Sequence, residues 1–229
     1  VVDVSRPTTL KQRYRADNRT LLRVSHLRQH DISAELVDVL FSGLAEACAD
    51  ADLLIFSDFN YGALPQPLVD RLTAFCAAHG VMMVADSQAS SQISDVSRFK
   101  GMRLLTPTER EARLAVRDPR SGLVVLAEAL HRQAEAETVV MTLGAEGLLI
   151  HAPQPDASLL TDRLPAFNTA PKDVAGAGDC LLTCTAMAMA RGADIWRSIY
   201  LGSVAAACQV GRVGNYPLAA QDLIAELLE

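Results

Sequence analysis

The sequence predicts an α/β fold, a mainly parallel sheet with helices on both faces, and three observations predict it. Short apolar runs such as DLLIF (52–56), VMMVAD (81–86) and TVVMT (138–142) alternate with segments long enough for several helical turns, the pattern of βαβ units. Polar and glycine residues stand directly after these runs, at Asp58 to Gly62, Asp86 to Gln88, Thr142 to Gly147 and Asp173 to Asp179. An open parallel sheet binds its ligands at that edge. Half of the 229 residues are hydrophobic and 5% are aromatic, enough apolar content for a substantial core.

Taken in order, the chain divides into a front segment, 1–30, and an α/β core, 31–229. From Thr8 the alternation TLKQRYRA places Lys11, Arg13 and Arg15 on one face of a strand. A turn at Asp17-Asn18 and the run RTLLRVSH complete a hairpin. Ser33 to Ala49 is helical, and Pro65 to His79 is a helix closed by Gly80. After the strand VMMVAD and a polar stretch come the short strand RLLT and two helices, Thr108 to about Arg117 and Ser121 to about Ala136. TVVMTLG and GLLIHA read as strands around a turn, with a Pro-containing connection leading to RLPAF. A helix opens at DVAGAGDC, and two more span Ile195 to Gly211 and Pro217 to Leu228.

Charge and cysteine content narrow the function. The net charge of -6 argues against a nucleic-acid partner. Residues 1–30 are nonetheless locally basic, with seven Lys/Arg against Asp3 and Asp17, which suits a small anionic ligand. Five cysteines with no C-x-x-C pair give neither a disulfide framework nor a zinc site, and read as reduced thiols. No run approaches a membrane span and no leader opens the chain, so the expectation is a cytoplasmic protein with no membrane partner. The abrupt VVDVS start suggests a longer parent.

The chemistry concentrates in Asp173 to Asp179. Gly176-Ala177-Gly178 has little side-chain bulk, so its N–H groups can approach an anion closely, and the following helix adds its positive dipole end. Asp179 beside such a site can take the proton of an attacking hydroxyl. The same residues read equally as a tight turn with Asp179 favoured at a helix start. Thr142, Gly144 and Gly147 make a turn between two strands on the plainest reading. Glu111 sits at a helix start, where acids are common. Lys11 and Arg13 suit phosphate binding, and equally suit protection of an exposed strand edge.

The segment DVAGAGD resembles the D-T-x-G-A-G-D signature of the ribokinase-type (PfkB) carbohydrate kinases. The resemblance implies a ribokinase-like three-layer α/β/α sandwich with a lid-type front hairpin. It implies Asp179 as catalytic base and an anion hole from the amides of Gly176, Ala177 and Gly178. Ala175 stands where Thr is common, removing a hydroxyl from contacts to phosphate or to a monovalent cation. Thr142 to Gly147 is similar to the T-x-G-x-x-G nucleotide loop, so Thr142, Gly144 and Gly147 are the expected ATP contacts. Thr108 to Glu111 aligns with N-x-x-E, which assigns Glu111 to Mg²⁺ through water.

Three further stretches, SDFNYG, RPTTLKQRYRADNRTLLRVS and RFKGMRLLTP, resemble the branch that phosphorylates heptose phosphates in ADP-heptose synthesis. They mark Lys11, Arg13 and Asn60 as substrate contacts. Tyr61 and Gln88 depart from that branch, each replacing a lysine. The family's further βαβ portion, with its Gly-Gly sugar motif, has no counterpart here, as in a fragment or a shortened relative. ATP, Mg²⁺, a monovalent cation and a sugar or sugar-phosphate acceptor are thus the implied ligands. Related kinases pair through lid strands, which implies a homodimer through the hairpin. Two alternatives stand beside this reading: a kinase-like module that binds without catalysis, and a nucleoside or vitamin kinase of the same superfamily.

Overall fold

The computed structural model describes residues 1–16, 19–88, 95–154, 156, 158–214 and 216–228. The expected turn at Asp17-Asn18 lies outside the described residues. Strands β1 (Leu10–Ala16) and β2 (Arg19–His26) pair antiparallel as a separate two-stranded sheet. A second sheet has six strands in chain order: β3 (Leu53–Asp58), β4 (Met82–Ser87), β5 (Leu104–Leu105), β6 (Thr138–Thr142), β7 (Leu148–Pro153) and β8 (Leu159–Leu164). The first four run parallel, and β7 and β8 continue antiparallel. The helices are α1 (Ala34–Cys48), α2 (Gln66–His79), α3 (Glu109–Val116), α4 (Leu123–Ala134), α5 (Ala177–Ala190), α6 (Ile195–Val210) and α7 (Ala220–Leu228).

The period of two along the strands builds two cores. Met83 and Ala85 of β4, Val139 and Met141 of β6 and Leu149 of β7 pack with α1, α2, α3 and α4 on one face. Val84, Val140, Leu148 and Ile150 point the other way and pack with Leu181, Leu182 and Ala186 of α5 and Ile199 of α6. These are the three layers expected, and alternating burial leaves no face of the central strands for water.

Local chemistry sets the element ends. Ser33 caps α1 by accepting from the Leu36 N–H, and Asp194 caps α6 by accepting from the Arg197 N–H. Gly80 closes α2 in the left-handed region, at φ 71°. One element was not named from the sequence: the last strand, Leu159–Leu164, lies in the Pro-containing connection before RLPAF. Pro165 has no N–H to extend the ladder, so the strand ends before it.

The hairpin touches the larger sheet's loops through cations. The Lys11 ammonium lies 4.1 Å from the Phe59 ring centre and 5.0 Å from that of Tyr61. Arg6 donates to the carbonyls of Tyr61 and His30, both at 2.8 Å. On the face away from Lys11 and Arg13, Leu10, Tyr14 and Leu22 are exposed, with Tyr14 opposite Leu22 in the ladder.

The turn from β6 to β7 depends on one glycine. Gly147 has φ 92°, and a Cβ there would stand 2.0 Å from the Leu164 carbonyl oxygen. Gly144 has φ 62° with nothing within 4 Å of such an atom. Gly147→Ala should therefore destabilise the fold by about 3 kcal/mol or more through strain and clash. Gly144→Ala should cost about 1 kcal/mol, from backbone strain alone. Denaturant melts of the two variants read the gap, and equal midpoints would show that the β6–β7 turn yields to the clash.

Candidate active site

Every polar cluster named from the sequence lies at the carboxyl edge of the parallel strands. At the end of β3, buried Asp58 accepts from Arg98 at 2.9 Å and from the Asn60 N–H at 2.9 Å. The Arg98 guanidinium also donates to the Leu64 carbonyl. Asn60 sits in the left-handed region, at φ 57°, and its amide donates to Ser87 Oγ at 3.0 Å and to the Gln88 carbonyl at 2.8 Å. Asn60 thus ties the β3 end to the β4 end, and its carbonyl side is what it can offer a substrate.

At the end of β4, Asp86 is buried and its acidity is altered. Burial comes first, then the charges of Glu111, Asp179 and Asp58, and together they push its carboxyl from the ordinary 3.8 up to about 7. Four carboxylates from four different elements therefore share one field.

Glu111 is buried too, in a reciprocal cap. Its Oε2 accepts from the Thr108 N–H and hydroxyl, both at 2.8 Å, while Thr108 Oγ1 accepts from the Glu111 N–H at 3.2 Å. The cap fixes the carboxylate at the sheet edge, so its helix-start role and its site role are compatible. Thr142 lies alongside: its N–H donates to the Pro107 carbonyl at 2.8 Å, and a parallel bridge joins Thr108 to Thr142. A cleft of about 670 Å³ opens there, lined by Thr142, Gly144 and the arginines Arg110, Arg113 and Arg117 of α3 and its end. A cavity of about 660 Å³ elsewhere lies among Val81, Gly101 and Ala136, at the amino ends of the strands, where such sheets do not bind ligands.

The glycine motif forms the start of α5. Gly176 turns the chain in the left-handed region, at φ 81°, and Ala177, Gly178 and Asp179 make the first turn of the helix. The first-turn amides of a helix lack intrahelical acceptors. The Ala177 N–H meets the Val174 carbonyl at 3.4 Å, which leaves Gly178 and Asp179 as the better-placed donors for an anion. A Cβ on Gly178 would meet nothing within 4 Å, so packing does not require glycine there.

The structure brings Asp179, Glu111, Thr142, Gly144 and Asn60 to one edge, with Lys11 at its rim over Phe59 and Tyr61. Arg13 is exposed on the same hairpin. Gly147 serves the turn behind the loop. Sequence reasoning missed Arg98, which pairs with Asp58 across forty positions and leaves no local signal. It also missed Gln209, whose one visible signal is a polar residue inside the apolar run VAAACQV. The cysteines are free, and burial raises the pKa of Cys76 to about 12 and those of Cys180, Cys184 and Cys208 above the ordinary value, as inert thiols require.

The Asp86 shift carries a pH dependence. The fold favours its acid form, so that contribution is fully present below about pH 4 and is lost as pH rises through about 7. Asp86→Asn cannot ionise. Its stability relative to wild type should rise by up to about 4 kcal/mol between acid and mildly alkaline pH. Urea unfolding of both proteins near pH 4 and near pH 8 measures this, and a gap that does not change with pH would remove Asp86 from the proton balance.

Comparison with known proteins places this edge in context. The family model described as pfkB family carbohydrate kinase matches residues 5–221. The bifunctional protein HldE of Desulfatibacillum aliphaticivorans is 29% identical over 99% of this chain, and that of Sulfurimonas denitrificans is 28% identical over 94%. Those matches cover 45% and 44% of the relatives, so the chain spans about half the length of the curated relatives it matches. Phosphofructokinase-2 of Escherichia coli, solved in complex with potassium, has a TM-score of 0.73 at 14% identity, over 90% of this chain and 66% of its own. Ribokinase of Thermotoga maritima has a TM-score of 0.72 at 19% identity, over 100% of this chain and 72% of its own. The fold is therefore ribokinase-like, and among the described residues no helix is long and apolar enough to cross a membrane. With nearly the whole chain matched and its motifs gathered at one sheet edge, the chain belongs to the pfkB family of carbohydrate kinases.

Proposed function

We propose that the complete protein transfers the γ-phosphoryl group of ATP to a hydroxyl of a sugar or sugar phosphate, a heptose phosphate by resemblance of its front segment. The observation that carries this is the start of α5. A helix opens on amides with no side chain before them at Gly178, Asp179 stands beside those amides, and Thr142 and Gly144 line the neighbouring cleft. In the reaction the acceptor oxygen attacks the γ-phosphorus, its proton passes to the Asp179 carboxylate, and the bond to the ADP oxygen breaks. The first-turn amides hold the charge on the transferring group. Thr142 and Gly144 position the nucleotide, with Gly147 shaping their loop. Lys11 and Arg13 from the hairpin, with Asn60 at the β3 end, meet the acceptor.

The donor set fits Mg²⁺. The acidic side chains are hard oxygen ligands, and their mutual repulsion at Asp86 is what a cation relieves. Among the described residues no three acidic or other ligating side chains stand close enough to hold an ion directly. Glu111 and Asp86 would instead hold it through its waters, as Mg²⁺ prefers. Bound Mg²⁺ supplies neutralisation of the phosphate charges. The front hairpin, 1–30, acts in this reading as a lid and as the surface for a second copy, through exposed Leu10, Tyr14 and Leu22. Sedimentation should then give twice the 24.6 kDa chain mass, with Tyr14→Glu reverting it to monomer; a monomeric wild type would sink the pairing.

The test uses calorimetric titration with Mg²⁺ and a non-hydrolysable ATP analogue, and turnover in the full-length parent. Gly178→Val has room in the fold and should weaken nucleotide binding tenfold or more, about 1.4 kcal/mol. Asp179→Asn should bind nucleotide as well as wild type but lower turnover by roughly 10² to 10⁴-fold. Near-normal turnover would exclude Asp179 as the base. Nucleotide binding with no sugar-dependent turnover in the parent would instead support the module that binds without catalysis.

A further inference from the structure

The glycine turn is held from behind by the end of α6 and the segment after it. The Lys172 and Asp173 N–H groups both donate to the Val210 carbonyl, at 2.7 and 3.2 Å. The Asp173 carboxylate accepts from the Ala175 N–H at 3.2 Å and from the Gly214 N–H at 3.3 Å. Between them stands Gln209, in the last turn of α6 and fully buried. Its amide nitrogen donates to the Ala175 carbonyl and to the Gly214 carbonyl, each at 3.2 Å. A primary amide nitrogen carries two hydrogens, so both its donors go to these two oxygens.

Two backbone oxygens from separate segments, beside a carboxylate and next to a phosphate-holding turn, are the ligands a monovalent cation would take there, since hard cations seek oxygen. The amide nitrogen and a cation compete for the same oxygens. The position already has its donor, and the residues present do not fit a bound K⁺. We infer that Gln209 is a positioning residue that locks the anion-binding turn in place of a monovalent cation, so that this protein binds its nucleotide without K⁺. This rests on the reading of Gly176 to Asp179 as the turn that holds phosphate. It departs from the monovalent cation that the sequence resemblance implies.

The experiment compares KCl with tetramethylammonium chloride at equal ionic strength, reading the thermal midpoint of this chain and its affinity for Mg²⁺ with the non-hydrolysable ATP analogue. Wild type should show the same midpoint in both salts and affinities within about twofold of each other. Gln209→Glu keeps the shape but sets a carboxylate against the two carbonyls, which only a cation reconciles. Its midpoint should rise with K⁺ and not with tetramethylammonium, a response that a purely structural role for Gln209 would not produce. A wild-type midpoint or affinity that rises specifically with K⁺, by about tenfold in affinity, would overturn the inference whether or not the variant folds. A folded Gln209→Glu that ignores K⁺ would overturn it as well. Absence of nucleotide binding in either salt would count against the phosphate reading of the turn, while the wild-type midpoints still decide the role of Gln209.

Discussion

Parallel pairing from β3 to β6 delivers four successive strand ends to one edge, and the cost of that arrangement is electrostatic. Asp58 and Asp86 arrive there from the ends of β3 and β4, Glu111 from the first turn of α3, and Asp179 joins them from the start of α5. Each acid raises the energy of its neighbours' charges. Arg98 offsets Asp58 by a direct ion pair, the Thr108 cap holds Glu111, and Asp86 responds by keeping its proton to about pH 7. Nothing in the two apolar cores requires this concentration of acid. A fold that tolerates it carries a local liability of the kind found at functional sites.

The glycines at this edge sort by physical need. Gly176 needs a left-handed backbone, and Gly147 needs both that and the absence of a Cβ against Leu164. Gly144 needs the backbone alone. Gly178 needs neither: it lies inside the first turn of α5 with open space before it, where alanine would favour the helix by about 1 kcal/mol. A position that forgoes helix stability for no reason of packing or conformation points outward, to whatever approaches those amides. That supports the anion-hole reading proposed above over the tight-turn reading, which the sequence left level.

Much of this was legible in the sequence because it is local. The two-residue period sorted strands from helices, Ser33 and Thr108 stood where caps belong, and the polar clusters followed their strands. The last strand was not picked out because LLTDRL, exposed or half-buried along its length, lacks the apolar run that marked the others. Glu111 was read as either a helix-start acid or a site acid; the reciprocal cap with Thr108 shows the first role and sets the carboxylate near Asp86. The pairings that organise the site were not legible. Arg98 with Asp58, and Gln209 with Ala175, join residues far apart in sequence that only the fold brings together.

The two halves of the site are consequently prepared in different ways. In the proposed function the phosphate side is ordered before any ligand arrives: Gln209, Asp173 and the Val210 carbonyl fix the turn that presents Gly178 and Asp179. Binding energy there need not be used to order the loop. The acidic side is ordered in position but unsatisfied in charge, since burial and the neighbouring carboxylates push the Asp86 carboxyl up to about 7. An incoming cation with its phosphates would release that proton and convert repulsion into attraction. Under the proposed function, preorganised amides on one side and mutually repelling carboxylates on the other would make an edge whose lowest free energy is reached with both charges of a metal–nucleotide pair in place.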